Sequence, residues 1–242
     1  MLHFCSDLIS YFFMTALILD TSNAHTLLAL TQNGKLIDSA IYLHQNKLSS
    51  LLTTSIHNIL KKHALSTKDL QYVGVGIGPG SYTGTRVGVA VAKSLSLGLE
   101  IPLVSFCSLL AYVPEDTAGN FGFLMETKQG APFLLESCAE IQGFSSILWR
   151  LLPPSEEGKN IFKSIPHFAL DPESFHKAHP DCLLSSPMKA EPSLYRLCLH
   201  LQDEYTKGRG LSYFQLDTLE LLYLHSIAIP LIPAEALIEA PA

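Results

Sequence analysis

Gly78-Pro79-Gly80-Ser81-Tyr82-Thr83-Gly84-Thr85-Arg86 joins an apolar run, Tyr72 to Ile77, to a run of small and branched residues, Val87 to Leu97. The first run reads as a buried strand and the second as a helix, so the stretch between them is a strand-to-helix turn. Glycines at 78, 80 and 84 admit positive φ and close backbone approach, and Pro79 stiffens the chain where it leaves the strand. The free N–H groups of the helix's first turn carry a partial positive charge that favours an anion. No acid, base or nucleophile accompanies them. The stretch reads either as binding without chemistry or as a tight connection whose glycines are punctuation, and the residues alone leave both open.

Spacing excludes the familiar glycine-rich machinery. A dinucleotide fingerprint needs G-x-G-x-x-G, whereas Gly78, Gly80 and Gly84 are spaced G-x-G-x-x-x-G, and no Asp or Glu follows a second strand about 20 residues on. A P-loop needs Lys after its last glycine, and Thr85 stands there. A nucleophile elbow around Ser81 needs glycine two residues to either side, where the chain has Pro79 and Thr83.

Upstream, Ala16 to Asp20 and Thr26 to Thr31 are apolar strands, and Asn33-Gly34 is a two-residue hairpin signal into a third strand, Lys35 to Leu43. From Leu48 the apolar positions 48, 51, 52, 56, 59 and 60 recur at helical spacing, which predicts an amphipathic helix. With the strand before the turn, the helix after it and a strand at Ile101 to Ser105, the order is β-β-β-α-β-α-β. Downstream, Phe121 to Met125 and Phe133 to Cys138 read as a hairpin, Ile147 to Leu152 as a further strand and Ser193 to Tyr205 as a helix. Pro153 to Pro192 reads mainly as loop with short elements, and Leu216 to Ile227 as helix or strand.

At 242 residues and 48% hydrophobic, the chain can bury a sizeable core and suits two small domains or one larger one. A formal charge of −6 offers no basic stripe for a phosphate backbone, so nucleic-acid binding by the chain alone is not expected. Only 16% of residues are charged, which hints at an interface. The cysteines, 5, 107, 138, 182 and 198, are odd in number and lack a C-x-x-C pair. They suggest neither a disulfide framework nor a zinc ribbon, and a reducing cytoplasm is expected. The apolar start, residues 1–13, has no Lys or Arg ahead of its apolar run and is too short to span a bilayer; it is expected to be an over-called start or a disordered extension, or else a short packed helix.

GPGSYTGTRVGVAVAKSLSLGL, the opening MTALILDTSNAHTLLAL and the late LELLYLH resemble the TsaB family, over about Met14 to His225. Members of that family are the non-catalytic partner subunit in bacterial threonylcarbamoyladenosine modification of transfer RNA, relatives of the catalytic subunit TsaD and of the actin-like ATPases. The resemblance implies an α/β fold of two ribonuclease H-like (actin-like ATPase) lobes, the second reduced: an extension at 1–13, a first lobe at 14–112, a second at 113–228 and a mobile tail at 229–242. It places Asp20, Thr21 and Ser22, with Gly78, Gly80, Ser81, Thr83, Gly84 and Arg86, on the phosphate side of such a fold, where Asp20 reads equally as a turn-forming carboxylate. It also implies that the first two helices form the face that meets the catalytic subunit, through Leu51, Ser55, Gly88, Val91, Ala92, Leu95 and Ser96. Implied partners are a TsaD-like subunit, a TsaE-like P-loop ATPase and, for the chain alone, a second copy. No cofactor of its own is implied, ATP or ADP lying at the partner interface, and no membrane. The chain departs from the family at Glu126-Thr127-Lys128, where Asp-Ala-Arg is expected, and at Leu221 to His225, where Pro-x-Tyr-x-Arg is expected.

Catalytic constellations are sparse. The catalytic relatives carry an H-x-x-x-H metal pair, whereas His44, His57 and His63 stand at spacings that put none one helical turn from another. His176-x-x-His179-x-x-Cys182 is the one ligand-like cluster, set among prolines and charges with no fourth ligand, and reads as a solvated loop. No catalytic residue and no metal site is expected. A glycoprotease-like hydrolase is the alternative, and a sugar kinase is disfavoured by length.

Overall fold

The computed structural model describes residues 14–43, 48–126, 132–140, 143–151, 166–180 and 187–222. Strands β1 (Thr15–Asp20), β2 (His25–Gln32) and β3 (Lys35–Leu43) pair antiparallel in chain order. Asn33 and Gly34 take φ of 51° and 73° between β2 and β3, the left-handed backbone that a two-residue hairpin turn requires. Helix α1 (Leu48–Lys62), strand β4 (Leu70–Gly76), helix α2 (Tyr82–Leu99) and strand β5 (Leu103–Phe106) follow. Strand β4 adds to β1 in parallel and β5 to β4, so the sheet runs β3-β2-β1-β4-β5. Helix α2 starts at Tyr82 rather than Val87, because Ser81 caps it and draws Gly84 into its first turn.

Strand β1 is apolar throughout because both of its faces are covered. Leu17 and Leu19 join Leu28, Leu30, Val73 and Val75 beneath α1 and α2, whose Leu52, Ile56, Val89 and Ala92 close one core. The alternate positions, Ala16 and Ile18, turn to the other side and meet Tyr72, Phe121, Phe123 and Leu135 in a second core shared with the rest of the chain. The two-residue period of a strand sorts them, and a sheet buried on both faces reads as an unbroken apolar run.

The second half repeats this plan in miniature. Strands β6 (Gly119–Glu126), β7 (Pro132–Glu140) and β8 (Gly143–Leu151) pair antiparallel, and β9 (His167–Ala169) and β10 (Met188–Lys189) add in parallel on the other side of β6. The order β8-β7-β6-β9-β10 is that of β3-β2-β1-β4-β5. The parallel strands shrink to 3 and 2 residues from 7 and 4, and helix α3 (Pro172–Ala178) has 7 residues where α2 has 18. The fold is thus α/β with two ribonuclease H-like lobes, the second reduced. Helix α3 begins where Asp171 Oδ1 accepts the N–H of Ser174 at 3.0 Å and Pro172 takes the first helical position.

Helix α4 (Tyr195–Thr206) lies between the sheets, with Leu197, Cys198 and Leu201 buried in the shared core. Leu201 packs so closely on β4 that a Cβ on Gly74 would stand 2.9 Å from its Cδ1. The chain then returns to the first lobe. Leu211 pairs with Leu103, Tyr213–Thr218 forms a 3-10 helix, and the Leu222 N–H donates to Ile77 O at 2.8 Å. The expectation of a helix or strand from Leu216 therefore meets a short 3-10 turn, and its part beyond Leu222 lies outside the described residues. So do the expected extension 1–13 and tail 229–242. Cys107, Cys138 and Cys198 are free thiols, and among the described residues no helix is long and apolar enough to cross a membrane.

Candidate functional site

The glycine turn and the end of β1 fold onto each other. Of the three glycines only Gly78 has positive φ, 98°, at the start of a cis Gly78–Pro79 peptide. A Cβ on Gly78 would meet Leu222 O at 2.5 Å, one on Gly80 would meet Ser22 O at 2.1 Å, and one on Gly88 would meet Thr21 Oγ1 at 2.4 Å. The glycines thus make room for the chain's own backbone. The Ser81 N–H donates to Ser22 O at 2.5 Å, and the Thr21 hydroxyl donates to Gly84 O at 2.6 Å. Ser81 Oγ accepts the Gly84 N–H at 3.2 Å and occupies one donor of the helix start.

Beneath this contact lies Asp20, 2% exposed. Its Oδ1 accepts the Ser22 N–H at 2.8 Å and the Ser22 hydroxyl; Ser22 Oγ lies 2.7 Å from Ser108 Oγ, which accepts the Gly78 N–H at 2.9 Å. One carboxylate therefore ties together the end of β1, the glycine turn and the turn after β5. Its Oδ2 is buried without a hydrogen bond among the described residues. Desolvation outweighs the bonds from Ser22 and Ser108 and raises the Asp20 pKa from 3.8 to about 6.

An actin-like fold implies a nucleotide, and the residues here do not fit one at this turn. The space between Gly80 and Ser22 is filled by backbone in direct contact, and a phosphate beside Asp20 would face a buried carboxylate. Of the residues placed on the phosphate side, Asp20, Thr21, Ser22, Gly78 and Gly84 are buried in this knot, while Gly80, Ser81, Thr83 and Arg86 reach the surface. The guanidinium of Arg86 stacks 3.7 Å over the Tyr82 ring.

The expected partner residues divide in the same way. Gly88, Ala92 and Ser96 are buried against the chain's own sheet, and Ser55 is 5% exposed with its hydroxyl 3.3 Å from the Tyr42 hydroxyl. These four are corrected from partner-facing to internal. The reason is that α2 carries small residues on two faces, and the row Gly84, Gly88, Ala92, Ser96 lies over β1 and β4. Leu51, Val91 and Leu95 stay half-exposed, and the outer face of α2 presents Thr83, Ala90, Ser94 and a Leu97 that is 61% exposed. Val91 and Leu95 also line a groove of about 560 Å³ between α1 and α2, with Ile56 and Leu60 opposite.

The histidines expected to form no metal pair are spread out. His63 Nε2 lies 2.8 Å from Asp38 Oδ2, His57 is exposed on α1, and His44 lies outside the described residues. In the second lobe His179 Nε2 stands 3.7 Å from Glu126, His176 is exposed, and Cys182, Thr127 and Lys128 lie outside the described residues. A cleft of about 680 Å³ at the ends of β4 and β5, missed in the sequence because its walls come from both lobes, is lined by Phe106, Cys107, Phe144, His200 and Arg209. Burial pushes the Cys107 thiol up to about 12, which leaves it protonated and inert.

Residues 43–121 match the family described as TsaD: tRNA N6-adenosine threonylcarbamoyltransferase. That span holds α1, the glycine turn and α2. Among solved structures, YeaZ from Pseudomonas aeruginosa is similar with a TM-score of 0.68 at 18% identity, over 84% of this chain and 97% of that one. An uncharacterized protein with similarity to peptidase YEAZ from the same organism gives 0.68 at 18%, over 87% of this chain and 99% of that one. Among curated proteins there is no match. YeaZ is the TsaB protein, so the resemblance to the TsaB family read from the sequence stands, and the fold is that of the YeaZ proteins.

Proposed function

We propose that this chain is the non-catalytic partner subunit of a TsaD-like threonylcarbamoyl transferase, which forms threonylcarbamoyladenosine next to the anticodon of ANN-reading transfer RNAs. The observation that carries the reading is the closed glycine turn. The stretch where an actin-like enzyme would hold phosphate is occupied by the chain's own Ser22 backbone, while the helices on either side of it present an apolar groove. The family match falls on this same span. In this reading the chain contributes shape and stability, a TsaE-like P-loop protein regulates ATP hydrolysis, and ATP or ADP sits at the seam between subunits. Transfer RNA is reached only through the complex, in the cytoplasm.

The test is pairing. This chain mixed with the TsaD-family protein of its own genome is expected to sediment as one complex, with no hydrolysis of ATP or peptides by this chain alone. Two separate boundaries at micromolar concentration, or peptide cleavage that survives repurification, would contradict the reading.

A further inference from the structure

The two edges of the first sheet differ. Strand β5 is covered by the chain's own return, where Leu103 and Leu211 exchange N–H···O bonds of 2.9 and 2.8 Å. Strand β3, the opposite edge, has no described strand beyond it. Its first half carries the features that guard an exposed edge: Lys35 at the first position, a break in register with β2 at Leu30 and Thr31, and Asp38 held by Lys62 and His63 at 2.8 Å each. Residues 39–43 have no charge, no proline and no register break. Here Ile41 is 43% exposed and Leu43 65%. Both stand opposite Leu27 and His25 of β2, while Tyr42 lies on the other face with its hydroxyl 3.3 Å from Ser55 Oγ. The Ser39 N–H donates to Asp38 Oδ1 at 2.9 Å and so points away from β2. Alternate residues of an edge strand share that direction, which turns the N–H and C=O of Ile41 and Leu43 outward as well.

We propose that residues 39–43 pair with the same residues of a second copy of this chain, antiparallel about a two-fold axis beside Ile41, so that the two first-lobe sheets run on as one. The stretch is complementary to itself. Set in opposite directions, Ile41 meets Ile41, the small Ser39 and Ala40 meet the large Leu43 and Tyr42, and no like charges stand face to face. The two Ile41 residues exchange N–H···O bonds, and each Leu43 N–H reaches the Ser39 carbonyl of the other copy. A two-fold contact closes on itself, so pairing stops at two copies instead of growing into a fibre. A ladder this short buries less than the roughly 1,200 Å² at which standard interfaces begin, so the pair is weak and forms at about 10 to 100 µM. The contact does not rest on the partner-subunit reading above.

The experiment is sedimentation of the full chain alone from about 1 µM to about 500 µM, with amide hydrogen exchange measured at both ends of that range. The wild type is expected to pass from monomer to dimer, and exchange at Ile41 and Leu43 to slow in the dimer. Ile41→Lys and Leu43→Lys are each expected to weaken self-association about tenfold or more, with the thermal transition in place. Phe214→Lys removes a still more exposed apolar side chain, on the 3-10 helix, and is expected to associate as wild type. A wild type that stays monomeric throughout overturns the proposal. So does a dimer in which exchange at Ile41 and Leu43 is unchanged, one that both folded lysine variants leave intact, or one that Phe214→Lys abolishes. Should a lysine variant lose its thermal transition, exchange in the wild-type dimer decides.

Discussion

Asp20 shows how much of the glycine turn depends on one side chain. Its carboxylate holds Ser22, whose carbonyl holds Ser81, and its second oxygen has no hydrogen bond among the described residues. Burial raises its pKa from 3.8 to about 6, so the folded chain binds this proton more tightly than the unfolded one. The stabilisation is full below about pH 4 and is lost as pH rises to about 6, a gap worth about 3 kcal/mol. The Asp20→Asn variant is expected to gain on the wild type over that window and to be at least as stable at pH 8. Urea unfolding of both proteins across pH checks this, and parallel curves would contradict it. The sequence marked Asp20, Ser22 and Gly80 as belonging together by resemblance, but it could not say whether the glycines make room for a phosphate or for the chain. That choice depends on the distance from Ser22 to Gly80, a contact between residues far apart in the sequence.

Helix α2 was legible as a helix of small residues and illegible as to which face does what. Glycine, alanine and serine recur one turn apart on two sides, and periodicity cannot separate a side that packs on a sheet from one that packs on another molecule. The structure turns Ala92 inward at 0% exposure and leaves Ala90 exposed. Two substitutions on one helix should therefore separate folding from binding. Ala92→Glu buries an unpaired charge in the core that also holds Leu17 and Val73 and is expected to cost several kcal/mol of stability, abolishing the thermal transition. Ala90→Glu is expected to keep the transition and to weaken pairing with the TsaD-family protein. Calorimetry and sedimentation on both variants check this, and a folded Ala92→Glu protein would place that side chain outside the core. The long strands and both long helices could be read because each is periodic over many residues. The parallel strands β9 and β10 could not, since three and two residues carry no period.

The molecule as a whole repeats one topology twice and invests unequally in the copies. The first lobe carries the long helices, the glycine turn and the family match, while the second has short parallel strands and packs against the first through α4. The return of Leu211 and Leu222 to the first lobe ties the last described segment beside the glycine turn. This division was readable from the sequence only through resemblance, because the second lobe's order emerges from pairings between strands far apart in the chain. A molecule so built is expected to be required for the transferase without performing its chemistry. Reconstitution tests this most directly: the TsaD-family and TsaE-family proteins of the same genome are supplied with ATP, threonylcarbamoyl donor and unmodified ANN-reading transfer RNA, with and without this chain. Threonylcarbamoyladenosine is expected only when this chain is present, with none formed by this chain alone; equal modification in its absence, or modification by this chain without the TsaD-family protein, would contradict the partner role.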